Sequence, residues 1–204
     1  MLALALAAVV APAPSALGDE RLLVATARAS TNPKARRDEP VPNYGVIWDH
    51  KLTRSGQPST LAGWTWLRRQ GVRSVVNFRS ENDVDYTRLG FEHSLWLPLK
   101  SSEPPTDADA ERFLAFVRDP QNWPLHIHCK SGQDRTGVMA ALVRYAIDGW
   151  TLERALVEAR SYRGGVDLAP QDMAWLRQWA AGHEPGSHRL SLGSAGRSAR
   201  HPTI

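Results

Sequence analysis

Hydrophobic and polar residues recur with two different periods along the middle of the chain. Alternation predicts strands at 46–49, 51–55, 74–78, 93–97 and 124–128. Apolar residues at helical spacing predict helices at 61–70, about 109–118, 136–148, 152–159 and 171–181. Because strands alternate with helices, we expect an α/β fold with a central, mostly parallel sheet flanked by helices.

The ends of the chain differ in composition from its middle and predict one domain with two flanking regions. Residues 1–18 are apolar and end in small residues, and residues 19–43 are charged with few large apolar groups. Residues 183–204 are rich in Gly, Ser, Arg and His. We therefore predict a possible signal or anchor at 1–18, a linker at 19–43, a single domain at 44–182 and a disordered basic tail at 183–204.

The N-terminal segment is similar to the apolar region and cleavage zone of a secretory signal, although the usual positive charges before it are missing. It is too short and too interrupted by proline to predict a membrane span. We expect export to the periplasm, or membrane association through an uncleaved anchor. A lone reactive thiol would be prone to oxidation there, so the alternative is a cytoplasmic protein.

The net charge is +4 and the pI is near 9.6, but the ends of the chain contribute many of the basic residues. The charge by itself therefore does not indicate nucleic acid as a partner. A basic surface suits acidic substrates such as phosphopeptides, inositol phosphates or anionic headgroups. No aromatic and basic stacking motif accompanies the charge, so nucleic acid is not an expected partner. The oligomeric state is not predicted.

The one cysteine of the chain lies between a predicted strand and a predicted helix, within the segment His-Cys-Lys-Ser-Gly-Gln-Asp-Arg-Thr-Gly at 128–137. In such a loop, inward-facing backbone N–H groups and the positive end of the helix dipole form a site for a tetrahedral dianion. Gly132 supplies the backbone freedom. The same field stabilises a thiolate, so Cys129 is predicted to be a nucleophile at neutral pH.

The other polar residues of this loop extend the prediction to phosphate binding. Arg135 offers a planar, permanently charged fork to two phosphoryl oxygens, which a lysine could not reproduce. Thr136 can direct its hydroxyl at the sulfur and ease its departure when water attacks a phosphocysteine, and His128 supports the nucleophile. The predicted phosphate-binding residues are Lys130, Ser131, Gly132, Gln133, Asp134 and Arg135.

These residues resemble the motif of the cysteine-dependent protein tyrosine phosphatase superfamily, His-Cys-x5-Arg followed by Ser or Thr. The resemblance extends loosely over 44–179 and is closest to bacterial dual-specificity-like members, which carry Arg-Ser-Gly-Gln-Pro, here at 54–58. It implies a metal-independent phosphatase of phosphate monoesters that acts on phosphotyrosine or with dual specificity. In relatives, a lysine after the nucleophile often accompanies activity on phosphoinositides, so a phosphoinositide or inositol-phosphate phosphatase is an alternative.

The resemblance also implies a general acid on an upstream loop, which corresponds here to 98–109. Asp107 is the first choice, followed by Asp109 and Glu103. Thr106, Asp107 or Asp109 could equally cap the following helix. Asp134, inside the loop, is more suited to orienting the loop or contacting substrate.

Other interpretations use the same residues. His126, His128 and Cys129 could be metal ligands, but they lack the spaced pairs of zinc sites, so neither a metal nor a cofactor is expected. A non-catalytic phosphate-binding module and a rhodanese-like sulfurtransferase remain as alternatives. Arg54 and Arg79 lie at the ends of predicted strands and could contact a phosphorylated protein or a small phosphate ester.

Overall fold

The computed structural model describes residues 40–190. The strands are β1 (Gly45–Trp48), β2 (Leu52–Gly56), β3 (Ser74–Asn77), β4 (His93–Trp96) and β5 (Leu125–Cys129). The helices are α1 (Leu61–Arg69), α2 (Asp107–Arg118), α3 (Asp134–Ala146), α4 (Leu152–Ser161) and α5 (Pro170–Ala181), with a short 3-10 helix at Pro120–Asn122. Each predicted strand and helix is present, with small shifts at its ends.

The five strands form one sheet in the order β1-β2-β5-β3-β4. β1 and β2 pair antiparallel as the predicted hairpin, whereas β2 with β5, β5 with β3, and β3 with β4 pair in parallel. The predicted mostly parallel α/β fold is confirmed. β5 is the central strand, so the segment that follows it emerges between the ends of β2 and β3.

Side-chain caps explain where α1, α2 and α4 begin. Thr60 and Thr151 accept hydrogen bonds from the first-turn amides of α1 and α4. Thr106 caps α2 in a reciprocal capping box with Asp109. This box starts α2 at Asp107, slightly before the predicted start near residue 109.

Helices cover both faces of the sheet. On one face, α3 is buried along nearly its whole length among β5, α4 and α5, and its core residues include Val138, Leu142 and Ala146. On the other face, Trp64 and Leu67 of α1 pack with Val75 of β3 in a second apolar cluster. This enclosure keeps water away from β5 on both sides.

The domain extends beyond both predicted boundaries. Val41, which the sequence places in the linker, is 2% exposed within the α1 cluster. At the other end, the Tyr145 hydroxyl donates to the His183 carbonyl at 2.6 Å, and the His183 ring stacks on Trp179 at 3.9 Å. The prediction of disorder is therefore wrong for residues 183–190, which pack onto α3 and α5.

The remaining predictions for the ends, namely the signal or anchor at 1–18, the linker up to residue 39 and the tail at 191–204, lie outside the described residues. Within residues 40–190, no helix combines the length and the apolar character needed to cross a membrane.

Candidate active site

The cysteine-containing loop lies at the carboxyl edge of the sheet, where three parallel strands end together. Cys129 is the last residue of β5 and is paired with Gly56 of β2, while His128 is paired with Asn77 of β3. The chain then turns through residues 130–133, and α3 begins at Asp134. The predicted strand, loop and helix succession is present, and ligands commonly bind at this position in α/β sheets.

Hydrogen bonds from outside the loop fix the direction of its carbonyl groups. The Gly132 carbonyl accepts from Arg54 Nη2 at 2.6 Å and from Asn43 Nδ2 at 3.0 Å. The Lys130 carbonyl accepts from the Gln57 amide at 3.1 Å. Because these carbonyls are bonded to the surrounding protein, the loop amides can face the sulfur, and the Gly132 N–H donates to Cys129 Sγ at 3.3 Å.

Two glycines allow β2 and the loop to approach closely. Gly132 has φ of +73°, and a Cβ there would lie 2.4 Å from the Gly56 nitrogen. A Cβ on Gly56 would lie 2.8 Å from the Ser131 carbonyl carbon. Side chains at these positions would therefore push backbone against backbone, so the loop geometry depends on both glycines.

Replacing Gly132 with alanine is expected to reduce catalytic turnover at Cys129 about 10²-fold, because displacing a loop amide by about 1 Å misplaces the reacting groups. Gly71 provides a matched control, since it also has a positive φ, +87°, but a Cβ there would meet no atom within 4 Å. Gly71→Ala should cost about 1 kcal/mol of unfolding free energy and leave turnover unchanged. Equal turnover in the two variants would contradict the role assigned to this close approach.

Cys129 is 1% exposed, yet the surroundings of its sulfur favour the thiolate. Burial alone would raise the pKa of Cys129, but the Thr136 hydroxyl, the Thr136 and Gly132 amides and the Arg135 charge outweigh it and lower that pKa below its ordinary value. Thr136 Oγ1 is buried and has no oxygen or nitrogen partner among residues 40–190. Its hydroxyl is therefore available to the sulfur.

Arg135 is held at one end and leaves donors available at the other. Its Nη1 donates to the carbonyls of Phe78 and Leu99 at 3.4 and 3.3 Å. Its Nε is buried without a hydrogen-bond partner among the described residues. A buried guanidinium nitrogen that lacks an acceptor indicates a place for an anion, because such a group is costly to leave unpaired.

His128 is neutral at physiological pH. Burial lowers its pKa to about 4, and its Nε2 lies 2.8 Å from the Tyr86 hydroxyl. His126 is also fully buried, with its pKa lowered chiefly by burial, and its ring nitrogens lie 2.8 Å from Thr53 Oγ1 and from Ser55 Oγ. These histidines thus support the strand beneath the loop through hydrogen bonds and do not carry charge.

The three carboxylates considered for the general acid have different partners. Asp109 Oδ2 accepts from both the amide and the hydroxyl of Thr106, and Glu103 forms an exposed ion pair with Lys100 at 2.9 Å. Asp107, on the first turn of α2, accepts from Trp175 Nε1 at 3.1 Å through Oδ1. Among the described residues, Asp107 Oδ2 has no partner, and Asp109 differs from Asp107 in that its Oδ2 is used in the capping box with Thr106.

The remaining predicted loop residues are distributed around its rim. Lys130, Ser131 and Gln133 are exposed, and Asp134 forms an ion pair with Arg163, which follows α4. Asp134 therefore connects the loop to the segment after α4. Arg79 binds Gln57, Asp83 and Glu81.

The structure gives Arg54 and Asn43 a role that the sequence does not predict, namely a hydrogen bond to the Gly132 carbonyl. Arg54 is predicted as a substrate contact, but it is 1% exposed and lies behind the loop as a donor to Gly132. Asn43 falls within the predicted linker, but its amide bridges the carbonyls of Gly132 and Tyr162. The sequence signal for Arg54 is the Arg-Ser-Gly-Gln-Pro segment at 54–58, because Arg54 and the Gln57 amide donate to carbonyls of the loop.

Within residues 40–190, no group of three or more histidine, cysteine, aspartate or glutamate side chains is arranged to hold a metal ion. The His126, His128 and Cys129 combination is engaged instead in the contacts given above.

A cysteine and an arginine that share one anion-binding loop at the end of a central parallel strand define the class of cysteine-dependent phosphatases. The family model described as "DSP-PTPase phosphatase fused to NAD+ Kinase" matches residues 43–178. The chain belongs to this family, and the predicted membership of the protein tyrosine phosphatase superfamily is confirmed.

Two curated relatives show how the similarity is distributed. The dual specificity protein phosphatase TpbA of Pseudomonas aeruginosa is 33% identical over 136 residues, covering 62% of this chain and 56% of TpbA. The inositol diphosphatase DSP5 of Arabidopsis thaliana is 28% identical over 140 residues, covering 61% of this chain and 64% of DSP5. The match thus spans less than two thirds of each of these relatives.

Solved structures agree with the fold. The catalytic core of the PP-IP phosphatase SIW14 from S. cerevisiae superposes with a TM-score of 0.58 at 18% identity, covering 70% of this chain and 93% of that one. P. aeruginosa TpbA in complex with pTyr superposes with a TM-score of 0.53 at 25% identity, covering 72% of this chain and 98% of that one.

Proposed function

We propose that this protein hydrolyses phosphate monoesters, without a metal, through a phosphocysteine intermediate on Cys129. The observation that carries the proposal is the buried sulfur at the base of the loop, which accepts from the Gly132 amide at 3.3 Å and lies in the field of Arg135. A thiolate in this environment is a nucleophile at neutral pH, and the loop amides around it can receive a dianion.

In the first step, Cys129 Sγ attacks phosphorus, a sulfur–phosphorus bond forms, and the bond from phosphorus to the ester oxygen breaks. Arg135 and the loop amides bind the equatorial oxygens, where charge is held in the transition state. Asp107 gives its proton to the leaving oxygen, so that an alcohol departs and the carboxylate remains.

In the second step, water attacks the phosphocysteine, the sulfur–phosphorus bond breaks, and inorganic phosphate and the thiolate are released. Asp107, now ionised, accepts the proton of the attacking water. The Thr136 hydroxyl can donate to the sulfur as it regains its charge, which supports its departure.

The charges at the rim favour a substrate with one phosphoryl group, such as phosphotyrosine or another phosphorylated protein side chain. Arg79 is paired with Asp83 and Glu81, and Arg163 is paired with Asp134, which leaves Lys130 as an exposed rim cation without an ion pair among residues 40–190. Binding of an inositol polyphosphate needs several cations that are not already neutralised. The relative TpbA is named a dual specificity protein phosphatase, whereas DSP5 is named an inositol diphosphatase.

An aromatic side chain near this rim supports the same substrate class. Trp96 at the end of β4 is 44% exposed, and its Nε1 donates to the Arg79 carbonyl at 3.0 Å. An indole held in this way offers an apolar face to a tyrosine ring. We therefore infer a phosphotyrosine or dual-specificity protein phosphatase, and a substrate screen with matched phosphotyrosine, phosphoserine and inositol-phosphate compounds tests this inference.

Asp107→Asn is expected to lower kcat about 10²-fold for an aryl phosphate and to remove the fall in activity at alkaline pH. The reason is that a general acid works only while it carries its proton, so catalysis that depends on one declines as pH rises. An asparagine has no proton to lose over this range. Steady-state kinetics from acidic to alkaline pH, with EDTA present, measure both effects.

Asp109→Asn is the matched control, because it removes the same charge on the same turn of α2 and keeps an oxygen acceptor for Thr106. Asp109→Asn should retain the wild-type kcat and the fall in activity at alkaline pH, which is the alkaline limb of the pH profile. If Asp109→Asn loses the limb and Asp107→Asn keeps it, the acid is Asp109. A folded wild-type protein that binds phosphotyrosine without any turnover would instead indicate a phosphate-binding module.

A further inference from the structure

Arg54 is a buried cation beneath the cysteine-containing loop. It lies on β2, next to the central strand, and is paired in register with Ile127 of β5. It is 1% exposed and is among the largest fully buried side chains of the described residues. A guanidinium in this position keeps its charge, because arginine is not deprotonated in proteins.

Among residues 40–190, no carboxylate contacts Arg54, so no ion pair compensates its charge. Its Nη2 donates to the Gly132 carbonyl at 2.6 Å, and its Cζ lies 3.9 Å from the centre of the Tyr162 ring. Its Nε and Nη1 are buried without a hydrogen-bond partner among residues 40–190. No carboxylate within that range lies within ion-pair distance of Arg54.

Arg144 shows how this fold otherwise accommodates a buried arginine. It donates to both Glu158 oxygens at 2.8 and 2.7 Å and to Asp148 at 2.9 Å. Arg54 has no such pair, although burying a charge is costly unless an opposite charge compensates it. This contrast points to an anion on the loop as the missing partner.

Cys129 is placed to supply that negative charge. The Gly132 residue links the two groups, since its N–H donates to Cys129 Sγ while its carbonyl accepts from Arg54. Burial lowers the pKa of Arg54, and the charges of Tyr162, Glu158 and Cys129 act in the opposite direction. The thiolate and the guanidinium therefore stabilise each other.

We propose that Arg54 is a positioning residue that turns the Gly132 carbonyl away from the anion site and provides a second positive charge for the Cys129 thiolate. Each function has a distinct structural basis. The 2.6 Å hydrogen bond orients the Gly132 unit, and the buried charge acts on the sulfur through a medium that screens it weakly. The inference deepens the proposed function, since it concerns the nucleophile of the same site.

Several groups act on the Cys129 thiolate, and an experiment must separate the effect of Arg54 from the effects of the others. Arg135 and the first-turn amides of α3 act from the helix side, Arg54 acts from β2, and Thr136 donates through its hydroxyl. His128 precedes Cys129 and is neutral above a pKa of about 4. Tyr162 and Glu158 act on Arg54 from α4 and its C-terminal cap. Arg54 is therefore the cation whose removal leaves the phosphate-binding Arg135 in place.

The test is the pH dependence of Cys129 alkylation by iodoacetamide in Arg54→Met, Arg54→Lys and wild-type protein. Arg54→Met should raise the midpoint of alkylation on the order of one pH unit and slow the reaction about tenfold at a pH below that midpoint. Arg54→Lys keeps a charge and should shift the midpoint less. A midpoint in folded Arg54→Met that equals the wild-type value would overturn the proposal.

Asn43→Gly is the matched control for the hydrogen bond. Asn43 donates to the same Gly132 carbonyl with a neutral amide, and its φ of +55° suits glycine. This variant should move the alkylation midpoint by less than about 0.3 units, because it removes a donor but no charge. A shift as large as that of Arg54→Met would show that loop geometry alone sets the thiolate, contrary to the proposal.

A measurement on the unmutated side chain covers the case in which the Arg54 variants do not fold. The Arg54 Nε–H resonance should shift with the same pH midpoint as alkylation of Cys129, and it should be independent of pH over that range in Cys129→Ser. An Arg54 Nε–H chemical shift that does not change as Cys129 ionises would overturn the proposal. Alkylation and NMR need no turnover, so absence of phosphatase activity would count against the proposed function and not against this pairing.

Discussion

Cys129→Ser is expected to abolish hydrolysis of an activated aryl phosphate, with a loss of roughly 10³-fold or more, while the affinity for a phosphotyrosine ligand is retained. The hydroxyl of serine stays protonated where the thiolate of Cys129 has formed, because the surroundings that lower the cysteine pKa start from a much higher serine value. The loop amides and Arg135 remain in place, so binding should survive. Steady-state kinetics with EDTA and calorimetric titration measure the two effects.

Thermal unfolding provides the control for this comparison. Sulfur and oxygen differ little in size, and Cys129 packs at the end of β5, so the variant should unfold within a few degrees of the wild type. A folded Cys129→Ser protein with wild-type turnover would contradict the nucleophilic role of Cys129. Loss of binding together with turnover would indicate that the sulfur, and not the loop, holds the phosphate.

Arg135→Lys has the second largest expected effect, a loss of roughly 10²-fold to 10³-fold in kcat/KM together with weaker phosphotyrosine binding. The guanidinium is held by the Phe78 and Leu99 carbonyls and has a buried Nε without an acceptor among the described residues. A lysine can reproduce the charge but not the planar fork that contacts two phosphoryl oxygens while remaining anchored. The same titration and kinetics measure this loss.

Arg163→Lys is the matched control, because Arg163 lies at the rim, where it forms an ion pair with Asp134. A lysine there retains a charge for Asp134, so kcat/KM should fall much less than in Arg135→Lys. Comparable losses in the two variants would mean that charge at the rim, and not the fork inside the loop, dominates phosphate binding.

The sequence predicts those parts of the fold and site that depend on local patterns. The alternating segment before Cys129 and the helical spacing after Thr136 are sufficient to place β5, the loop and α3. Strand and helix alternation predicts the parallel sheet, because only a crossover connection brings consecutive parallel strands together.

Contacts between distant segments account for what the sequence does not predict. The role of Asn43 depends on a hydrogen bond to Gly132, which no local pattern encodes. Arg54 resembles any exposed arginine at a strand end until β2 is paired with β5 and the residue becomes buried. Residues 183–190 have a polar composition, but they dock onto α3 and α5 through backbone hydrogen bonds and ring stacking that composition does not show.

The choice of general acid shows the same limit within a single helix. Thr106, Asp107 and Asp109 each fit the start of α2 by residue type. The structure assigns the capping box to Thr106 and Asp109 and joins Asp107 to Trp175, a residue of α5 far along the chain. The proposal of Asp107 as the acid thus depends on a tertiary contact as well as on its place in the loop.

The stereochemical course of hydrolysis tests the phosphocysteine mechanism most directly. An aryl phosphorothioate made chiral at phosphorus with oxygen isotopes would be hydrolysed in isotopically labelled water, with EDTA present. Each in-line displacement inverts phosphorus, so attack by Cys129 followed by attack by water predicts net retention. Net inversion would show that water displaces the leaving group in one step, and it would contradict a covalent intermediate on Cys129.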